Sequence, residues 1–164
     1  MTGDQTPTAP KRSCDGCAMC CMLLIIPPLN KPKNTWCQHC STRKGCDIYE
    51  QRPNECRSFH CGYLSFPELG EEWKPSRSKI VLAPELNGKR ITAYVDPSRP
   101  DAWRKEPYYS TLKKWARSTP PGGQVVVCLD DHMYMILPDR EVRLEIPAHI
   151  AQAQKMGGGE TSQC

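Results

Sequence analysis

Cys14-Asp15-Gly16-Cys17-Ala18-Met19-Cys20-Cys21 places four thiols in eight residues. No packed core requires that density. A buried cysteine packs as a small hydrophobe, and its reactivity more than its packing decides why several gather. Five more follow at Cys37, Cys40, Cys46, Cys56 and Cys61, so nine of the eleven cysteines lie between residues 14 and 61. Cys128 and Cys164 stand apart.

The surroundings decide how such thiols are read. The first thirteen residues are polar and hold Pro7, Pro10 and the Lys11-Arg12 pair, without the apolar run of a secretory signal. The longest purely apolar run, Met22 to Pro28, is far too short to span a bilayer. A reducing, cytoplasmic setting is the expectation, with no membrane partner. Clustered cysteines are there metal ligands or redox groups sooner than a disulfide framework. Nine thiols, an odd number, would also leave one unpaired. A chain of 164 residues buries a real core and needs no disulfides to stay folded.

Hydrophobic periodicity divides the chain. Residues 1–13 read as a disordered lead-in, residues 14–62 as a cysteine module, residues 63–150 as an α+β region packed on it, and residues 151–164 as a flexible tail. Within the module, Leu23-Leu24-Ile25-Ile26, ended by Pro27-Pro28, is the run expected to pack the module on the rest. Asp47 to Glu50 suggests a helical turn, and Pro53 suits the opening of another that carries Asn54 to Phe59. Beyond Gly62, Lys79 to Ala83 and Lys89 to Val95 flank Asn87-Gly88, a hairpin signal. Tyr108, Leu112, Trp115 and Ala116 fall on one helical face. Val125 to Leu129, Met133 to Leu137 and Val142 to Ile146 read as strands. The expected fold is α+β: a loop-and-short-helix cysteine module on an antiparallel sheet with one main helix.

Thiolate is the metal-ligating form, and soft thiolates select zinc, copper(I) and iron–sulfur clusters over hard cations. Two templates compete for the same residues. Cys14-x2-Cys17 and Cys37-x2-Cys40, nineteen residues apart, fit a four-cysteine zinc ribbon. Cys14-x2-Cys17-x2-Cys20 fits the first three ligands of a ferredoxin-type 4Fe–4S cluster, with Cys56 or Cys61 as the fourth. The adjacent Cys20 and Cys21 point in diverging directions, which hints at two metals or at one wide cluster.

A four-thiolate zinc or four-iron centre carries a formal charge of about −2. Lys11, Arg12, Arg43, Lys44, Arg52 and Arg57 are placed in sequence to offset it, or else are ordinary solvated surface. As a basic patch they are thin: 22 Lys and Arg stand against 18 Asp and Glu, and only Trp36, Tyr49 and Phe59 interleave. Nucleic acid is therefore not indicated as a partner. His39 and His60 each adjoin a cysteine and are reserve ligands. Asp130-Asp131-His132 reads first as a polar turn, and Cys128 as a core residue. No glycine-rich phosphate loop, Gly-x-Ser-x-Gly elbow or His-Glu-x-x-His stands in the sequence, so no catalytic site is assigned.

Cys14-x2-Cys17-x2-Cys20-Cys21, Cys37, Gly45-Cys46-Asp47-Ile48-Tyr49, Arg52-Pro53, Cys56-Arg57-x-Phe59 and Cys61 together resemble the CxxCxxCC, or YkgJ-type, cysteine-cluster family. That family is described as a zinc- or iron-chelating domain, and the likeness covers residues 14 to 61. The resemblance implies metal ligation by Cys14, Cys17, Cys20, Cys21, Cys37, Cys46, Cys56 and Cys61, with zinc or iron as the metal. Cys40 stands where many members have an apolar residue and is an extra thiol. Some relatives join such a cluster to flagellin lysine methylation. They are longer, and this chain has no evident segment for a methyl donor, so an enzyme assignment does not carry over. The expectation is a metal-binding protein that uses the metal for its fold or for metal handling, with an unidentified protein as a further partner. An iron–sulfur enzyme or electron-transfer component is the alternative, and a zinc-ribbon adaptor the third reading.

Overall fold

The structure, a computed structural model, describes residues 12–157. Most of the expected lead-in lies outside the described residues, as does residue 158 onward with Cys164. Among the described residues no helix is long and apolar enough to cross a membrane.

The module opens with a one-turn helix, Met19–Leu23 (α1), followed by a loop and a two-strand ribbon, Cys40–Ser41 (β1) and Gly45–Cys46 (β2). Short helices Asn54–Ser58 (α2), Gly62–Ser65 (α3) and Pro75–Ser78 (α4) lead to the sheet. Pro53 caps α2, as its fixed φ and missing N–H suit a helix start. The sheet begins with Ile80–Glu85 (β3) and Arg90–Val95 (β4), joined through Leu86, Asn87 and Gly88, all at positive φ. They pair antiparallel from Ile80 opposite Val95 to Glu85 opposite Arg90. The main helix, Tyr108–Ser118 (α5), then precedes strands Gln124–Cys128 (β5), His132–Ile136 (β6) and Glu141–Glu145 (β7). A helix, Ala148–Lys155 (α6), follows.

The class is α+β, as expected, with one correction. The five strands run in the order β3-β4-β5-β6-β7, but β4 and β5 are parallel, Arg90 opposite Gln124 through Tyr94 opposite Cys128. Parallel neighbours need a crossover, and α5 supplies it. The remaining pairings are antiparallel.

Covering both faces of the sheet explains why β3 and β5 are apolar without alternation. One face carries Ile80, Leu82, Ala93, Val95, Val125 and Val127 against Trp73, Trp103 and Leu112. The other carries Val81, Ala83, Tyr94 and Cys128 against Met19, Met22, Leu23, Leu24 and Ile26. The apolar run of the module thus packs where the sequence places it, and Cys128 is a core residue. Edge strand β7 leaves Leu144 exposed.

The tail expected from residue 151 is helical as far as Lys155, with Gln154 buried and its carbonyl accepting from the Lys33 N–H. The end of α6 thereby closes on the loop after α1. The module meets the sheet most tightly at Gly62, where a Cβ would lie 2.6 Å from the Leu82 Cβ and 3.2 Å from the Phe66 ring. Gly62→Ala must push α3 off β3. An overpacked contact of this kind costs about 1–3 kcal/mol, which urea unfolding of the variant will read as a lowered midpoint.

Candidate metal centre

Each cysteine is set by a local backbone device. Gly16, at φ 69°, lets the chain turn so that the Cys17 N–H donates to the Cys14 carbonyl at 2.8 Å. Helix α1 then carries Cys20 and Cys21. The Cys37 N–H donates to the Cys21 carbonyl at 3.0 Å, and the Cys40 N–H to the Cys37 carbonyl at 3.0 Å. The ribbon sets Cys40 directly opposite Cys46, its turn eased by Gly45 at φ 85°. Cys56 sits on α2, and Cys61 caps α3.

All nine of these cysteines are free thiols. Seven of them, all but Cys40 and Cys61, line one cavity of about 850 Å³. Its far wall is the sheet, with Glu85 accepting hydrogen bonds from the Tyr94 hydroxyl at 2.6 Å and the Thr92 hydroxyl at 2.8 Å. Lys44, Arg52 and His60 stand on its rim.

The thiols fall into two neighbourhoods. The strongest thiol neighbours of Cys61 are Cys14 and Cys17. Those of Cys40 are Cys21, which also shares a thiol–thiol hydrogen bond with it, then Cys37 and Cys46. Cys56 faces Cys21, Cys37 and Cys46. The zinc-ribbon pairing of Cys14-x2-Cys17 with Cys37-x2-Cys40 thus falls across the two neighbourhoods.

Burial, and then the neighbouring thiols, push Cys40 up to about 12 and Cys56 up to about 11. Cys61, also held up by burial, reaches about 11. Cys21 is driven well up by its hydrogen bond with Cys20, then by burial. Some groups act the other way. The Ile48 N–H donates to the Cys46 sulfur, and the Tyr63 and Leu64 N–H groups to the Cys61 sulfur, which favours their thiolates. Burial raises Cys14 and Cys46 as well, and Arg52, stacked on Tyr49 at 3.6 Å, offsets part of the rise at Cys14, Cys46 and Cys56.

Among the cations singled out in the sequence, Arg52 faces the thiols and Lys44 lines their cavity. Lys11 lies outside the described residues. Arg12 also lines the cavity, but its guanidinium donates to the carbonyls of Tyr63, Phe66, Pro67 and Leu69, pinning the chain before Cys14 onto the segment after Cys61. Arg57 donates to the Arg52 and Glu50 carbonyls, and Arg43 is exposed. His60 reaches the cavity, whereas His39 contacts Gln38. Asp130 serves a turn that holds the module, accepting from the Asn34 amide at 2.6 Å, and Asp131 pairs with His132.

The residue that sequence reasoning missed is Lys31. Its side chain is 4% exposed, and its ammonium donates to the carbonyls of Met22, Leu24 and Pro32. Burial lowers it to about 8, while Cys37, Cys21, Cys20 and Cys56 raise it. A lysine in a polar loop gives no periodicity signal, so nothing in the sequence separates it from Lys33.

As a donor set these groups fit a soft metal: free thiols, backbone N–H groups aimed at two sulfurs, and buried positive charge. Among the described residues no three His, Cys, Asp or Glu side chains already stand at the geometry of a metal site, so loading requires the thiols to give up protons and draw together. Compared with protein-family models, with curated proteins and with solved structures, the chain has no match.

Proposed function

We propose that this chain is a cytoplasmic metal-binding protein that holds zinc or iron in the thiolates of its cysteine module, and that the metal serves the fold or metal handling without a catalytic site of the chain's own. The observation that carries this is seven free thiols around one cavity, with Lys31 and Arg52 set against them. The spacing that resembles the CxxCxxCC family supports the same ligands: Cys14, Cys17, Cys20, Cys21, Cys37, Cys46, Cys56 and Cys61. When bound, the metal crosslinks segments that otherwise share little core. The protein's own groups supply the rest: backbone N–H groups offset part of the burial that keeps Cys46 and Cys61 protonated, and the two cations offset the negative charge of the loaded site.

A second reading is an iron–sulfur component that transfers electrons or modifies another protein. The cavity favours it, because about 850 Å³ far exceeds what a single ion needs and falls in the range of ligand-sized sites. Parallel aerobic and anaerobic purification of the full chain, with metal analysis and visible absorption, tests both. The expected result is zinc or iron copurifying in stable ratio to protein. Broad visible absorption only in the anaerobic sample selects the iron–sulfur reading, and a colourless zinc protein selects the first. Full metal occupancy in both Cys17→Ser and Cys20→Ser would overturn the assignment of the opening motif as ligand core.

A further inference from the structure

We propose that seven of the nine thiols build two separate centres, one of them a closed four-thiolate site of zinc type made by Cys21, Cys37, Cys40 and Cys46 and flanked by Cys56, the other based on Cys14, Cys17 and Cys61. This rests on the metal-binding reading above and adds to it a ligand, Cys40, that lies outside the resembled eight-cysteine pattern. Three backbone contacts and one between side chains converge on the first site. The Cys40 N–H closes a turn on the Cys37 carbonyl at 3.0 Å, which keeps residues i and i+3 within about 7 Å. Cys40 and Cys46 are cross-strand partners, so their side chains leave the ribbon on the same face, with Cα atoms about 4.5–5.5 Å apart. The Cys37 N–H holds the Cys21 carbonyl at 3.0 Å, bringing the end of the opening motif to the same place. Cys21 and Cys40 already share a hydrogen bond between their sulfurs. Sulfurs around a tetrahedral zinc stand about 3.8 Å apart, given bonds of about 2.3 Å. Neighbours held by these contacts need only close inward.

The cavity shows how each set is completed. Cys21, Cys37 and Cys46 line it, and Cys40, outside the lining, joins them through its hydrogen bond with Cys21. Cys14 and Cys17 line it and Cys61 does not, so Cys61 stands to the second set as Cys40 does to the first. Each set also contains one sulfur held by backbone N–H donors, Cys46 in the first and Cys61 in the second. A closed four-thiolate set leaves no open position and suits a structural metal. Three thiols facing a large cavity leave room for a further ligand.

The test loads the full chain and its Cys40→Ser and Cys61→Ser variants with zinc under anaerobic conditions and measures bound metal after gel filtration. Cobalt(II) substitution reports tetrahedral thiolate ligation. The expected result is about two metal equivalents in the parent and loss of about one in each variant, the strong tetrahedral cobalt bands leaving with Cys40. Alkylation mapped by mass spectrometry guards against a misfolded variant, because it reads the parent chain itself. Zinc should protect Cys40 from iodoacetamide, and chelation should expose it. If the parent binds no metal, the metal-binding reading fails. If the parent binds metal while Cys40→Ser keeps the full load, or Cys40 alkylates equally fast with and without zinc, the two-centre proposal fails and that reading stands.

Discussion

Chelating the metal should release residues 37–61 while the sheet and α1 stay folded. Between residues 37 and 61 the only hydrophobic residue in the core is Cys37, whereas Met19, Met22, Leu23, Leu24, Ile25 and Ile26 are all buried. Apart from Ile25, the second group packs on Val81, Ala83, Tyr94 and Cys128, and that contact does not depend on metal. The first has the ribbon, two turns, its thiols and the half-buried Phe59 against that cluster, so most of its order must come from the ligand bonds. Binding free energy at a structural thiolate site is folding free energy, on the order of 10 kcal/mol. Hydrogen exchange with limited proteolysis, before and after chelator, should show cleavage confined to residues 37–61. Uniform loss of protection across the chain would contradict it. Cys17→Ser should lower metal content and resistance together, whereas Cys128→Ser and Cys164→Ser should leave the metal in place.

Acid should act in the same direction as chelator, and the sign follows from the thiols. Cys40, Cys56 and Cys61 sit at about 11 to 12, so the metal-free module holds their protons at neutral pH, and loading must displace them. Apparent metal affinity therefore rises with pH, and falling pH ejects the metal. Titrating zinc affinity from acid to mildly alkaline pH reads the slope.

Much of the architecture was legible because it rests on periodicity and turn chemistry. Asn87-Gly88 fixed the β3–β4 hairpin, and Tyr108, Leu112, Trp115 and Ala116 marked the buried face of α5. The parallel β4–β5 pair was not legible, since period-2 alternation is the same for either strand direction. Helix α6 was missed because it is short and lies close to Gly157-Gly158-Gly159. In the site, the thiols announced themselves by density, but their grouping did not. Spacing paired Cys14-x2-Cys17 with Cys37-x2-Cys40, and only the ribbon register shows that Cys40 belongs with Cys46. The cations were chosen by closeness in sequence. Arg12 lies beside Cys14 in the chain yet spends its donors on carbonyls, while Lys31, six residues from Cys37, is the buried one.

Lys31→Met should weaken both the fold and the hold on metal, in a way that Lys33→Met does not. The two lysines make a matched pair. Both are lowered to about 8 by burial, and both donate to main-chain carbonyls, Lys31 to Met22 at 2.8 Å and Lys33 to Leu129 at 2.6 Å. They differ in what they face: Lys31 feels Cys37, Cys21, Cys20 and Cys56, whereas Lys33 feels Asp130 and Asp131. Methionine keeps the length of the chain and removes the charge and the donors. At position 31 it strands the Met22, Leu24 and Pro32 carbonyls, at about 1–3 kcal/mol for each buried acceptor left unsatisfied. Loaded thiolates deepen the loss, because a cation facing them in a medium of effective dielectric near 20 contributes on the order of a few kcal/mol. Lys31→Met should therefore lose zinc or iron to a competing chelator at least about tenfold more readily. Lys33→Met should lower the melting temperature and leave that competition unchanged, and Lys31→Arg should recover part of the metal affinity through its charge. Equal chelator sensitivity in Lys31→Met and Lys33→Met would reduce Lys31 to a structural tie between α1 and its loop.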